Sequence, residues 1–419
     1  MLNRTIAPPF NRTTRFDLIT PETVTLGNGV PVHFISGGNQ NVLKIELVFK
    51  AGRWFEPQWG AAYFASNLLT KGTRDKSSFS IAQTFDRYGA HVEVAPGLDV
   101  VSVSLYSLTG KLQPVLPVLV ELLQHSVFPE KELEQMKSIY LQNLKVNQEK
   151  TSFQASKLLR KSLFGENHPY GKELEAAEIT ALQRDVLVDY YEHHFGDLFI
   201  LVSGKLEADI RTLITDTFAA LNVAPVAGKT FAPPVSIPSR QVVDKADSVQ
   251  SSLRIGKRFI GRTHPDYVDT LFLNHLLGGY FGSRLMKNIR EEKGLTYGIY
   301  SSIHTLKNDN YMVIGADVNK ENMELAFDEI RKELIRLRVE PIDAEEIETA
   351  RNHFIGSLQS EIVTPFAHAD KVKNILLFNL PADYYPKLIQ RLDALRSDDL
   401  VRVAETYFTE DSFFETAVG

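Results

Sequence analysis

The chain has 419 residues, too many for one ordinary hydrophobic core, so two or more domains are expected. Hydrophobic residues make up 43% and charged residues 23%, the net charge is a mild -6, and no basic run occurs, which argues against nucleic acid and anionic membrane as partners. There is no cysteine, so disulfides and thiolate metal sites are excluded.

The opening M-L-N-R-T-I-A-P-P-F-N-R-T is polar and has no apolar segment of the secretory kind. The sequons at Asn3 and Asn11 are then chance matches, and the expected location is the cytoplasm. No run approaches the ~20 apolar residues that a membrane helix needs. Residues 1–20 read as a loosely held arm.

Strands follow over 22–50, with an Asn28-Gly29 turn between the first two. A helix is expected from about Gly60 to Leu69 and a second over Phe79–Tyr88. Ala90–Ser107 alternates as two strands around Pro96-Gly97. Leu112–Gln124 and Lys131–Gln148 are amphipathic helices, and 153–164 and 184–195 are helical too. Leu198–Gly204 is a buried strand, and a helix over 205–221 closes this half. Composition then shifts, with Pro225, Pro233, Pro234 and Pro238 in one short run. Residues 222–245 therefore read as a semi-rigid linker.

Beyond the linker the order repeats, with a strand at 249–257, a helix at 266–277, paired strands at 295–318 and helices at 320–337 and 343–360. F-P-E-K-E-L-E-Q-M at 128–136 parallels E-P-I-D-A-E-E-I-E at 340–348. An internal repeat of roughly 210 residues is the simplest organisation. The expected fold is α+β: two similar halves, 1–221 and 246–419, each a mainly antiparallel sheet with helices packed on one face.

The stretch richest in chemistry is Gly278–Tyr300, G-G-Y-F-G-S-R-L-M-K-N-I-R-E-E-K-G-L-T-Y-G-I-Y. Ser283 is in place to cap a helix over Ser283–Lys293, with Leu285, Met286 and Ile289 on its apolar side. Gly294 ends it from the C′ position, and a strand runs from Leu295 to Ile303. Arg290 stands at the end of the helix and Tyr297 at the start of the strand. A guanidinium fork and a phenol brought to one corner can hold a carbonyl oxygen that gains negative charge. The plainer reading is that Arg290 pairs with Glu291 or Glu292 and that Tyr297 fills core.

G-x-x-x-S-R-L followed by R-E-x-x-G-L-x-Y resembles the C-terminal half of the pitrilysin/insulinase-type metallopeptidases, the inverted zincins. The resemblance covers nearly the whole chain after residue 22 and implies two similar halves facing each other. It also implies that Arg290 and Tyr297 bind the substrate carbonyl opposite a zinc ion. In that family H-x-x-E-H on the helix after the first strand pair supplies two zinc ligands and the general base.

Here the framing residues Ala51, Gly52, Glu56, Gly60 and Lys71-Gly72-Thr73 are present. The motif positions, however, hold Tyr63, Ser66 and Asn67, and Asn143 stands at the third ligand's place on a later helix. Zinc wants imidazole, thiolate or carboxylate, and none is offered. No metal and no cofactor are expected in this chain.

The resulting expectation is a zinc-free subunit of a heteromeric peptidase. A homologous partner chain carries the zinc, Arg290 and Tyr297 act in trans, and short or unfolded peptides are the substrates. The rivals are a non-catalytic scaffold or core subunit and a peptide-binding protein that works without a peptidase. The remaining histidines read as structural: His193-His194 point to different faces, His168 lies in a loop, and His91, His125, His275 and His304 stand alone.

Overall fold

The computed structural model describes Thr5 and residues 16–235 and 237–419. Most of the expected N-terminal arm, with Asn3 and Asn11, lies outside the described residues, as does Ser236 of the linker. The last residues of the arm, 16–20, are held in place. Phe16 is buried and stacks on Tyr385 with ring centroids 5.3 Å apart, and the Ile19 N–H donates to His368 Nδ1 at 3.2 Å. These two side chains are apolar, and burying them stabilises the docked segment.

The first half opens with β1 (Glu22–Thr25), β2 (Pro31–Ser36) and β3 (Val42–Lys50). Gly29, at φ 84°, takes the left-handed position of the expected turn, and Asn28 Nδ2 donates to the carbonyls of Phe218 and Leu221. Then come α1 (Ala61–Leu68), α2 (Ser78–Arg87), β4 (His91–Pro96) and β5 (Val101–Leu108). Four further helices are α3 (Leu112–His125), α4 (Glu130–Gln148), α5 (Thr151–Phe164) and the short α6 (Ala176–Ala181). The half closes with α7 (Arg184–His193), β6 (Gly196–Gly204) and α8 (Ala208–Ala219).

The start of the Pro-rich run is tied down. Val226 accepts from Lys50 Nζ through its carbonyl at 3.0 Å, and the Lys229 carbonyl accepts from Trp54 Nε1 at 2.8 Å. Beyond Pro238 the chain regains its N–H donors, and Arg240–Val243 pairs as strand β7.

The second half continues with β8 (Gln250–Arg258), α9 (Tyr267–Asn274), β9 (Thr296–Thr305) and β10 (Asn310–Asn319). It ends with α10 (Met323–Val339), α11 (Ala344–Ser360), α12 (Pro365–Leu377), α13 (Tyr384–Ala394), α14 (Ser397–Tyr407) and β11 (Phe414–Val418).

The first sheet has the order β1-β2-β6-β3-β5-β4 and the second β7-β11-β8-β10-β9. Setting β1 aside, the two orders are the same when each strand is matched to its repeat. Even the one parallel pair recurs in place, β2 with β6 and β7 with β11. The fold is α+β in two similar halves, and the sheets are mainly antiparallel.

Alternation along β3 sorts its side chains. Leu43, Ile45, Leu47 and Phe49 enter the core of the first half, whereas Val48 packs on the opposite face with Ile35 and Leu201. That opposite face is covered by a helix from the other half: Ala369 and Val372 of α12 close the cluster. Lys373 of α12 also reaches the buried Glu46 at 2.8 Å.

The exchange is reciprocal. Leu159, Leu163 and Phe164 of α5 pack with Val313 and Phe414 of the second sheet. Thr151 and Ser252 hydroxyls meet at 2.9 Å, and Arg254 Nε donates to Ser156 Oγ at 3.2 Å. The hairpin tips also touch: Asp99 accepts from the Lys307 N–H and Asn308 Nδ2, both at 3.0 Å, and from the Tyr170 hydroxyl. Among the described residues no helix is long and apolar enough to cross a membrane.

Candidate functional site

Helix α1 starts from Gly60, which sits at φ 97°. The Glu56 carboxylate accepts from the N–H groups of Gly60 at 3.1 Å and Ala62 at 3.0 Å, satisfying two orphan donors of the first turn. Tyr63 is half-exposed and sets its ring edge-on to Tyr140 of α4 at 5.0 Å. Ser66 is fully buried. The Asn67 amide is turned back onto the Tyr63 carbonyl at 2.8 Å, and Asn143 lies exposed on α4.

A phenol set edge-on to a second phenol, a buried hydroxyl and two carboxamides make a donor set that does not fit zinc. Among the described residues no three His, Asp or Glu side chains are grouped so that they could hold a metal ion.

In the second half the expected helix after Gly282 is present, but its winding is wider. Met286–Glu292 is π-helical, with the Lys293 N–H on the Asn288 carbonyl at 3.1 Å and the Leu295 N–H on the Ile289 carbonyl at 2.9 Å. Ser283 is buried and does not cap it. A second π-turn, His275–Gly279, precedes it and is broken at Gly278. Gly278 has to be glycine, because a Cβ there would stand 2.7 Å from the backbone nitrogen of Ser301 on β9. Such wide turns cluster at functional sites.

Buried polar contacts fix the segment. Arg284 grips Glu346 through two bonds of 2.8 Å, and Asn288 Nδ2 donates to Glu333 at 2.7 Å and Glu329 at 3.2 Å. Gly294, at φ 63°, ends the helix as expected, and β9 leaves it as the edge strand of the second sheet.

Arg290 and Tyr297 flank this corner. The Arg290 guanidinium lies over the exposed ring of Phe281, 4.7 Å from its centroid. Among the described residues it has no ion pair, and neither Glu291 nor Glu292 engages it. Tyr297 is 92% exposed on β9 and fills no core.

One reading from the sequence is corrected here. His275 does not stand alone: its Nε2 meets His353 Nδ1 at 3.1 Å across 78 residues of sequence. Helical spacing cannot reveal that partner, because it sits on another helix. His168 and His193 take structural positions, as expected. His168 is packed in an aromatic cluster with Trp54, Phe164 and Tyr170, and His193 binds Asp189 of its own helix.

Two family models cover most of the chain: residues 34–178 match the model of the insulinase family (peptidase family M16), and residues 181–354 match the peptidase M16 inactive domain. An uncharacterized zinc protease of Bacillus subtilis, YmxG, is 25% identical over 357 residues, 84% of this chain and 86% of its own length. The non-peptidase homolog YmxG of Helicobacter pylori is 23% identical over 361 residues, 84% of this chain and 83% of its own. A crystal structure of a peptidase M16 inactive domain from Pseudomonas fluorescens shares the fold with a TM-score of 0.88 at 24% identity, covering 95% of this chain and 98% of that one. With both halves matched in order, the chain belongs to the insulinase family of peptidases, family M16.

Proposed function

We propose that the chain is a zinc-free, peptide-binding subunit that completes a peptidase together with a homologous chain bearing H-x-x-E-H and the zinc. The observation that carries this reading is that Arg290 and Tyr297 are unspent. Among the described residues Arg290 rests on Phe281 without an acid, and the Tyr297 ring stands in solvent. A structural role would have tied the guanidinium to a carboxylate and buried the phenol.

A peptide carbonyl oxygen that gains charge can accept from the fork and from the hydroxyl together. Tyr63, Ser66, Asn67 and Asn143 supply neither ligand nor base, so the attack on the carbonyl is assigned to the partner. Both β4 and β9 are edge strands, and an extended peptide can add to either. Short or unfolded peptides suit that mode of binding.

Three measurements test the reading. Co-purification of the native chain should bring a chain bearing H-x-x-E-H with it. Elemental analysis after dialysis should find no stoichiometric zinc in the isolated chain. In the assembled complex, Arg290→Ala and Tyr297→Phe should each lower turnover by ~10²–10³ without loosening assembly. Arg290→Lys should also be impaired, since a point charge cannot copy the planar fork. Glu291→Gln should change little. Full cleavage by the complex with Arg290→Ala and Tyr297→Phe combined would leave the chain a scaffold.

A peptide-binding role without any peptidase is the second reading, favoured by the description of the Helicobacter pylori relative as a non-peptidase homolog. Peptide affinity measured on the isolated chain separates the two.

A further inference from the structure

The Gly-rich turn ahead of Arg290 is held by an aromatic stack with no part in the reading above. His275 is buried at the start of the π-turn and meets exposed His353 of α11, Nε2 to Nδ1, at 3.1 Å. Tyr280 lies over both imidazoles, 4.7 Å from the His275 centroid and 4.8 Å from that of His353. Phe354 closes the stack edge-on to His275 at 5.0 Å. Gly279 leaves room for the buried ring, since a Cβ there would stand 2.7 Å from His275 Nδ1. The residue after Tyr280 is Phe281, on whose ring the Arg290 guanidinium rests.

We propose that the His275–Tyr280–His353 stack is a proton-sensitive clasp. It positions the Gly279–Gly282 turn, and with it Arg290, and it opens when both imidazoles are charged. The proposal rests on the subunit reading only for the role of Arg290.

In the neutral pair one ring donates its N–H and the other accepts. A first proton on the pair leaves that bond in place, because one of the two facing nitrogens still accepts. A second proton puts N–H groups on both facing nitrogens. No acceptor then remains in the 3.1 Å gap, and two positive charges meet across it.

The surroundings offer little relief. On α11, Glu346 acts on Tyr280 and is held by Arg284. On α9, Asp269 is engaged with Arg391 and Arg402. On α10, Glu329 and Glu333 are engaged with Lys332 and Arg336. The neighbour from β9 is uncharged Ser301, against Gly278. Burial, and then the His353 charge, push the His275 pKa down to about 4 from its ordinary 6.5. The unfolded chain therefore binds more protons than the folded one between those values. The clasp contributes fully above pH 6.5 and loses its contribution as pH falls through about 4.

The test uses the isolated full-length chain. Ring NMR should show His275 titrating far below the ordinary histidine range. Hydrogen-exchange protection over residues 276–290 should fall about tenfold or more from pH 7 to pH 4, while strands β3 and β10 keep theirs. His353→Gln keeps a hydrogen-bonding side chain without the second charge, and should remove most of that pH dependence.

Single-step titration of His275 near its ordinary value overturns the proposal. So does unchanged protection over 276–290 once both rings are charged, or loss of protection in the segment and the core strands together. Arg290→Ala should leave the titration as it is. Failure of the clasp and failure of the subunit reading are thus told apart.

Discussion

Glu56 is 7% exposed, and one of its oxygens accepts two backbone N–H groups while the other has no partner among the described residues. Burial lifts its pKa to about 7 from 4.5, although the Ala62 and Gly60 donors and the charges of Arg53 and Lys229 pull the other way. The folded chain thus holds a proton that the unfolded chain releases between those values. Stability from this group is fully present below pH 4.5 and is lost as pH rises through about 7. Glu56→Gln should flatten that slope. Urea unfolding at pH 5 and pH 8 should show the variant gaining on the wild type, by about 3 kcal/mol at most. An equal difference at both values would mean that Glu56 is ionised in the folded chain throughout. The residue was legible in the sequence as part of a frame, but its protonation was not, because burial arises only when α1, the Trp54 turn and Lys229 of the linker close around it.

At the scale of elements, amphipathic periodicity places α5 and α12 in the chain, yet it is silent on what covers them. An apolar stripe has the same pattern whichever sheet it meets. In α5 that stripe sits on the second sheet at a place where the sheet makes room for it. A Cβ on Gly256 of β8 would stand 2.9 Å from Leu159 Cδ2 and 2.7 Å from the Met312 carbonyl oxygen. Gly256→Ala should therefore cost about 1–3 kcal/mol through overpacking, read as a lower midpoint in thermal unfolding. Leu159→Ala, at a site 2% exposed, should cost about 2–5 kcal/mol through the cavity it leaves. If both variants melt with the wild type, α5 is not held there in solution. The helix over 283–293 illustrates the other limit of the sequence. Its start, its apolar side and its Gly294 stop are all local signals, but its π winding is not. That winding depends on Arg284 and Asn288 reaching acids on α10 and α11, more than 40 residues away.

Across the whole molecule, the repeat was visible as a recurrence of order, and the shared sheet order follows from it. The exchange of α5 and α12 adds what the recurrence could not show: neither sheet is covered on both faces by its own half. The two halves should accordingly unfold in one transition by calorimetry, with no separate step for either. A cut within the Pro-rich linker should leave the two pieces together through α5, α12 and the Asp99 contacts, as size-exclusion chromatography under native conditions would show. Residues 1–221 expressed alone should expose Leu159, Leu163 and Phe164 and aggregate, and co-expression with the remainder should rescue them. A soluble, monomeric first half with a cooperative melt would contradict this.

The same exchange sets an order in time during synthesis. Leu159, Leu163 and Phe164 leave the ribosome more than 80 residues ahead of the first strand that covers them, β8. The face of the first sheet bearing Ile35, Val48 and Leu201 waits longer still, until α12 is made. At about 5–20 residues per second, that face stays open for roughly 10–30 s. A nascent chain of this protein therefore carries two uncovered apolar surfaces for much of its translation, and holdase chaperones should be found on it at the lengths between α5 and α12.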